Sequence, residues 1–138
     1  SSREMAMKLT EGHEKLLIHL IALHSIMVGA MFLLVPQWTM RFAGWQGIDP
    51  VFFAYQAGIF HVVLATAYLL EYHLYRGVSI VVTAKIIAFF FLITATLIDP
   101  IPWAVWTSGV LDGCMAVVVW WVHRQVGTSP HSAGADQS

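Results

Sequence analysis

Apolar residues fill four long segments of the chain, separated by short segments rich in proline, glycine and charged residues. A hydrocarbon core about 30 Å thick requires roughly 20 apolar residues in a helix. Backbone groups inside lipid must form hydrogen bonds within their own segment, which favours helices. None of the four segments has an interior proline. The pattern therefore predicts four transmembrane helices, at about residues 16–35, 50–72, 78–98 and 102–123.

These spans predict an all-α fold, a polytopic four-helix membrane bundle with both termini on the same side. Residues 1–15 read as an amphipathic cytoplasmic lead-in, and residues 124–138 as a flexible cytoplasmic tail. Between the first two spans, Trp38, Phe42 and Trp45 recur at helical spacing. That spacing indicates a short interfacial helix in the first outer loop, with a packed loop carrying anchoring tryptophans as the alternative.

Lysine and arginine are distributed unevenly between the two predicted sides. The side of the termini carries Arg3, Lys8, Lys15, Arg76 and Arg124, and the other side carries only Arg41. Because cytoplasmic loops of membrane proteins carry an excess of basic residues, both termini are expected in the cytoplasm. We expect a multi-pass protein of the bacterial cytoplasmic (inner) membrane.

Composition narrows the function classes. Hydrophobic residues make up 58% of the 138 residues and charged residues 11%, where a soluble domain has about a quarter. The net charge of −1 gives no basic face for nucleic acid, so the lipid bilayer and other membrane subunits are the expected partners. The single cysteine, Cys114, excludes an intramolecular disulfide and a thiolate metal cage.

One ionisable residue lies well inside each predicted span: His24, His61, Lys85 and Asp112. With a rise of ~1.5 Å per residue, all four fall ~10–15 Å from the cytoplasmic face. Each lies on or beside a stripe of small residues, which mark close helix contact in membranes. The four side chains are therefore expected to face neighbouring helices, as a polar cluster near the middle of the membrane.

The cluster has three interpretations. Lys85 and Asp112 can form a structural ion pair that fixes helix register, with the histidines hydrogen-bonded nearby. The same residues can line a pocket in which Lys85 holds an anionic or carbonyl-bearing ligand and the others handle protons. Alternatively, His24 and His61 can hold a haem. The sequence has no motif for a nucleophilic serine, a phosphate loop or a zinc protease, so no catalytic residue and no metal ligand are assigned.

The chain resembles the DoxX-like group of small four-span bacterial membrane proteins over about residues 16–123. The stretches that carry the resemblance are 22–36, Tyr55-Gln56-Ala57-Gly58, Ala84-Lys85 and Gly109-Val110-Leu111-Asp112-Gly113. The resemblance implies a four-helix membrane bundle that is sometimes associated with respiratory or redox enzyme complexes. It implies no catalytic residues.

The leading functional hypothesis is a non-catalytic accessory or structural subunit of a larger respiratory, redox or photosynthetic membrane complex. Small extramembrane segments, the absence of a catalytic motif and aromatic-rich spans such as Phe89-Phe90-Phe91 favour it. The alternative is a freestanding membrane enzyme or ligand-binding protein that uses the midplane cluster. The sequence identifies no cofactor, and haem remains only a hypothesis.

Overall fold

The computed structural model describes residues 2–46 and 49–127, and this part of the chain is helical, with no strand. Its helices are α1 (Ser2–Leu34), α2 (Pro36–Phe42), α3 (Phe52–Tyr75), α4 (Ser79–Ile98) and α5 (Trp103–Gly127). All but α2 are long and apolar enough to cross a membrane. The predicted all-α fold with four membrane-spanning helices is confirmed.

The ends of the helices differ from the predicted spans. The predicted lead-in is not separate, because α1 runs without a break for 33 residues, or about 50 Å, from Ser2. The chain enters α3 at Phe52, two residues later than predicted. At the other terminus, α5 continues to Gly127, and the rest of the predicted tail lies outside the described residues.

The long helices pack as two antiparallel pairs, α1 with α3 and α4 with α5, and contacts between α1 and α5 join the pairs. In the first pair the backbones nearly touch. A Cβ atom on Gly29 would lie 2.8 Å from the carbonyl oxygen of Gly58, and one on Gly58 would lie 2.9 Å from that of Gly29. Glycine at both positions therefore permits the approach, as small residues do between membrane helices.

The two ends of the bundle are distinguished by the chain termini. The start of α1, the turn from α3 to α4 and the end of α5 meet at one end, called here the terminal end; the other is the far end. A cluster of buried apolar residues fills the bundle on the terminal side of its middle: Ile18, Ile21, Tyr68, Tyr72, Val78, Val81 and Val119. These side chains come from all four long helices, and their contacts set how the helices pack together.

The short helix α2 lies at the far end, and its presence confirms the helix predicted in the first outer loop. The rings of Trp38 and Phe42 stack with centroids 5.3 Å apart. The Phe42 ring then meets Trp103, the first residue of α5, edge to face at 6.0 Å. Aromatic contacts therefore hold α2 against the start of the last span.

Candidate functional site

Lys85 and Asp112 form a direct ion pair between α4 and α5. The Lys85 ammonium donates a hydrogen bond of 2.9 Å to Oδ1 of Asp112. The two side chains are 7% and 15% exposed, so the pair is largely buried. An isolated charge at this depth would be costly, and pairing offsets part of that cost while linking the two helices.

The histidine of α3 lies beside this pair. His61 is half-buried, and its ring stacks in parallel on Phe32 of α1 with centroids 6.3 Å apart. It is within electrostatic range of Lys85 and Asp112. Among the described residues, neither His61 nor His24 forms a side-chain hydrogen bond with the pair. The hydrogen-bonded part of the cluster is thus Lys85 and Asp112 alone.

His24 occupies a different environment. Its side chain is exposed on the surface of α1, although it too is within electrostatic range of Lys85 and Asp112. The prediction that all four side chains face neighbouring helices is wrong for His24. The reason is helical phase: the buried stripe of α1 runs through Ala22, Ser25 and Gly29, and residue 24 lies to one side of it.

Tyr68 belongs to the same neighbourhood and was not among the predicted site residues. It is 2% exposed and lies within electrostatic range of Asp112. Sequence spacing carried a signal for it, since Tyr68 follows His61 by seven residues, about two helical turns, and so shares its face. An aromatic residue at such a position is otherwise indistinguishable from ordinary core.

The packing between α1 and α3 does not fit a haem held by His24 and His61. A Cβ on Gly29 would lie 3.3 Å from Cβ of His61, so the two backbones are in near contact within one turn of that histidine. The His61 ring already stacks on Phe32. No space for a macrocycle therefore separates the two helices at this level.

A cavity formed by α4 and α5 has none of the four polar-cluster residues in its lining. It is an apolar groove of about 750 Å³. Small residues, Gly113, Cys114 and Ala116, contribute to its lining from α5, and larger residues surround them: Val82, Ile86, Phe89, Phe90, Val110, Val117, Val118 and Trp120. We call this cavity the α4/α5 groove. It opens to the outside of the bundle, and Cys114 is exposed in it.

Polar contacts at the terminal end were also not predicted. Glu14, only 3% exposed, contacts His123 of α5 with 3.1 Å between Oε2 and Nδ1. Glu71 of α3 accepts hydrogen bonds from the Ser79 hydroxyl and, at 2.9 Å, from the Ile80 backbone N–H. His19 and His73 bring their Nε2 atoms to 3.2 Å.

Comparisons with protein-family models, with curated proteins and with solved structures find no match to this chain. The resemblance to the DoxX-like group therefore stays a prediction from the sequence.

Proposed function

We propose that this protein is a non-catalytic accessory subunit of a larger membrane complex and binds a transmembrane helix of that complex in the α4/α5 groove. The groove is the observation that carries the proposal. Among the small lining residues, Gly113 is covered by Phe89 and Ala116 is buried, but Cys114 is exposed. Large apolar and aromatic side chains, many of them exposed, line the rest of the groove. This arrangement suits the packing of helix against helix inside lipid.

Two further features support an accessory role. The described segments between the long helices are short, so the bundle carries little outside its helices on which extramembrane chemistry could be built. The ion pair of Lys85 with Asp112 satisfies both of its charged groups internally. The resemblance to the DoxX-like group implies an association with respiratory or redox complexes.

The decisive experiment is recovery of the protein from its native membrane in mild detergent through a small tag, with co-eluting proteins identified by mass spectrometry. We expect stoichiometric recovery with the subunits of a redox or photosynthetic complex. Recovery as a monomer or homo-oligomer alone contradicts the proposal.

A pair of matched variants locates the contact. Val117→Trp places a large ring in the α4/α5 groove, whereas Val63→Trp places the same ring on the exposed surface of α3. The groove variant should lose its partner subunits and the α3 variant should keep them. If both variants retain the partner, lipid rather than protein occupies the groove.

We further propose that the terminal end faces the cytoplasm of a bacterial inner membrane. Arg3, Lys8, Lys15, Arg76 and Arg124 lie on segments at that end, and Arg41 lies on α2 at the far end. With Cys114 replaced by serine, a cysteine at position 2 should resist a membrane-impermeant thiol reagent in intact cells. A cysteine at position 41 should react, and the reverse result overturns the orientation.

A freestanding ligand-binding protein or enzyme is the second candidate, favoured by the exposure of His24 within electrostatic range of the ion pair. A carbonyl-bearing ligand such as a quinone would reach the pair past His24 and accept a hydrogen bond from Lys85. A short-chain quinone titrated into the purified protein should bind, and the double variant Lys85→Met/Asp112→Leu, which leaves no buried charge unpaired, should abolish binding while the bundle stays folded. If the unmodified protein and the variant bind the quinone equally well, the ligand-binding function is rejected.

A further inference from the structure

His19 of α1 and His73 of α3 face each other at the terminal end. Their Nε2 atoms are 3.2 Å apart, their ring centroids are 5.1 Å apart and their ring planes cross at 77°. Both side chains are at least partly exposed, so neither is enclosed by the bundle. The two residues are 54 positions apart in the chain, so the contact is made by the packing of α1 against α3.

The tautomer of His19 is set by the backbone of its own helix. Its Nδ1 lies 2.7 Å from the carbonyl oxygen of Lys15. A carbonyl oxygen only accepts, so Nδ1 of His19 must carry the proton and donate it. The Nε2 atom that faces His73 then has a free lone pair in the neutral ring, the form in which histidine binds a metal. The same carbonyl contact fixes the ring orientation, as partners of metal-ligating histidines do.

The separation of the two nitrogens suits a shared metal ion. With metal–nitrogen bonds of about 2.0 Å, two nitrogens 3.2 Å apart subtend about 105° at the metal, near the tetrahedral value. The ring centroids, 5.1 Å apart, and the crossed ring planes let both Nε2 atoms converge on one ion.

We propose that His19 and His73 together form a binding site for one divalent transition-metal ion at the terminal end of the α1/α3 pair. Imidazole suits Cu²⁺, Ni²⁺ and Zn²⁺, with Cu²⁺ bound most tightly among the divalent ions of the series. Within residues 2–46 and 49–127 no third histidine, cysteine or carboxylate completes the group. Water therefore fills the other coordination positions, which makes the site open and exchangeable.

The near contact of Gly29 with Gly58 supports a prearranged site. It holds α1 and α3 at a fixed separation farther along the same helix pair. A site built on rigid helices loses little freedom when the ion binds. Binding should in turn cross-link α1 to α3 and stabilise the folded bundle by mass action.

The test uses the full chain purified without a polyhistidine tag, stripped with a chelator and titrated with Cu²⁺ alone. We expect one tight Cu²⁺ per chain, an EPR spectrum that shows two nitrogen ligands, and a rise in the unfolding temperature. His19→Ala and His73→Ala should each weaken binding by more than about tenfold, because the second imidazole acts at high effective concentration. His13→Ala, on the exposed start of α1, is the matched control and should bind like the unmodified protein.

Two results overturn the site. One is binding that neither His19→Ala nor His73→Ala weakens. The other is an unmodified protein that binds Cu²⁺ no more tightly than the double variant. Because the EPR ligand count is made on the unmodified protein, the test stands even where a variant misfolds, and a spectrum with fewer than two nitrogen ligands also rejects the proposal.

Discussion

Lys85 and Asp112 lie on adjacent helices inside the bundle and satisfy each other through a single 2.9 Å contact. Both are largely buried, and within the described residues no buried polar side-chain atom lacks a hydrogen-bond partner. Each charge is therefore tolerable only because the other is present. This mutual dependence makes the pair the most sensitive polar feature of the fold.

Removing one member of the pair should destabilise the protein more than removing both. Lys85→Met leaves the Asp112 carboxylate buried without its partner, at an expected cost of about 3–5 kcal/mol. The double variant Lys85→Met/Asp112→Leu removes both charges and should recover most of that loss. Thermal unfolding in detergent, followed by circular dichroism, measures the difference. A double variant no more stable than Lys85→Met would mean that the two residues are not energetically coupled.

The contact of Gly29 with Gly58 gives a second prediction. Gly29→Ala places a methyl group 2.8 Å from the Gly58 carbonyl oxygen, so α1 and α3 must separate. Because the obstacle is backbone rather than a flexible side chain, we expect a loss of about 1–3 kcal/mol in the free energy of unfolding. Thermal unfolding in detergent detects it as a lower melting temperature.

Gly12→Ala is the matched control, because a Cβ there meets nothing within 4 Å. It should be neutral or slightly stabilising, since alanine favours helix over glycine. If Gly29→Ala and Gly12→Ala behave alike, the near contact between the two helices does not contribute to stability.

The sequence predicted the helices well because membrane crossing imposes a length and a polarity that can be read directly. Proline and small residues placed the turns to within a few residues, and the stripe through Ala22, Ser25 and Gly29 is indeed buried. Hydropathy did not show that the lead-in and the first span form one continuous helix, because charged residues are compatible with a helix that continues beyond the membrane. Hydropathy marks where lipid ends, not where a helix ends.

The site was predicted only in part. The depth of a residue along a helix is easier to obtain from sequence than the direction in which its side chain points around the helix axis. Lys85 and Asp112 lay at similar predicted depths and the structure pairs them, while His24 lies to one side of the buried stripe of α1. The contact of His19 with His73 joins residues 54 positions apart. The sequence does not show which helices are neighbours. A contact between residues so far apart in the chain can be predicted only once the arrangement of the helices is known.

The buried carboxylate of Glu14 supplies a third prediction. His123 contacts it at 3.1 Å, and its loss in His123→Ala leaves Glu14 with fewer partners. We expect a loss of about 1 kcal/mol, the typical net contribution of a hydrogen bond, because the His123 side chain is 41% exposed and water competes for the contact. His13→Ala serves as the control, and chemical denaturation in detergent is the measurement. Equal stability of the two variants would show that solvent replaces the imidazole without cost.

The turn between α3 and α4 gives the last prediction, because α4 begins without a capping side chain of its own. Its N-cap residue is Val78, and Glu71 of the preceding helix accepts the Ile80 N–H and the Ser79 hydroxyl instead. A carboxylate at a helix N-terminus satisfies free N–H groups and favours the helix dipole. Glu71→Ala should therefore cost about 1 kcal/mol and speed amide exchange in the first turn of α4.

Glu71→Gln should retain part of the stabilisation of α4, whereas Glu11→Ala on the exposed part of α1 should leave exchange in α4 unchanged. Unaltered protection at Ile80 in Glu71→Ala would show that water caps α4 as well as the glutamate does.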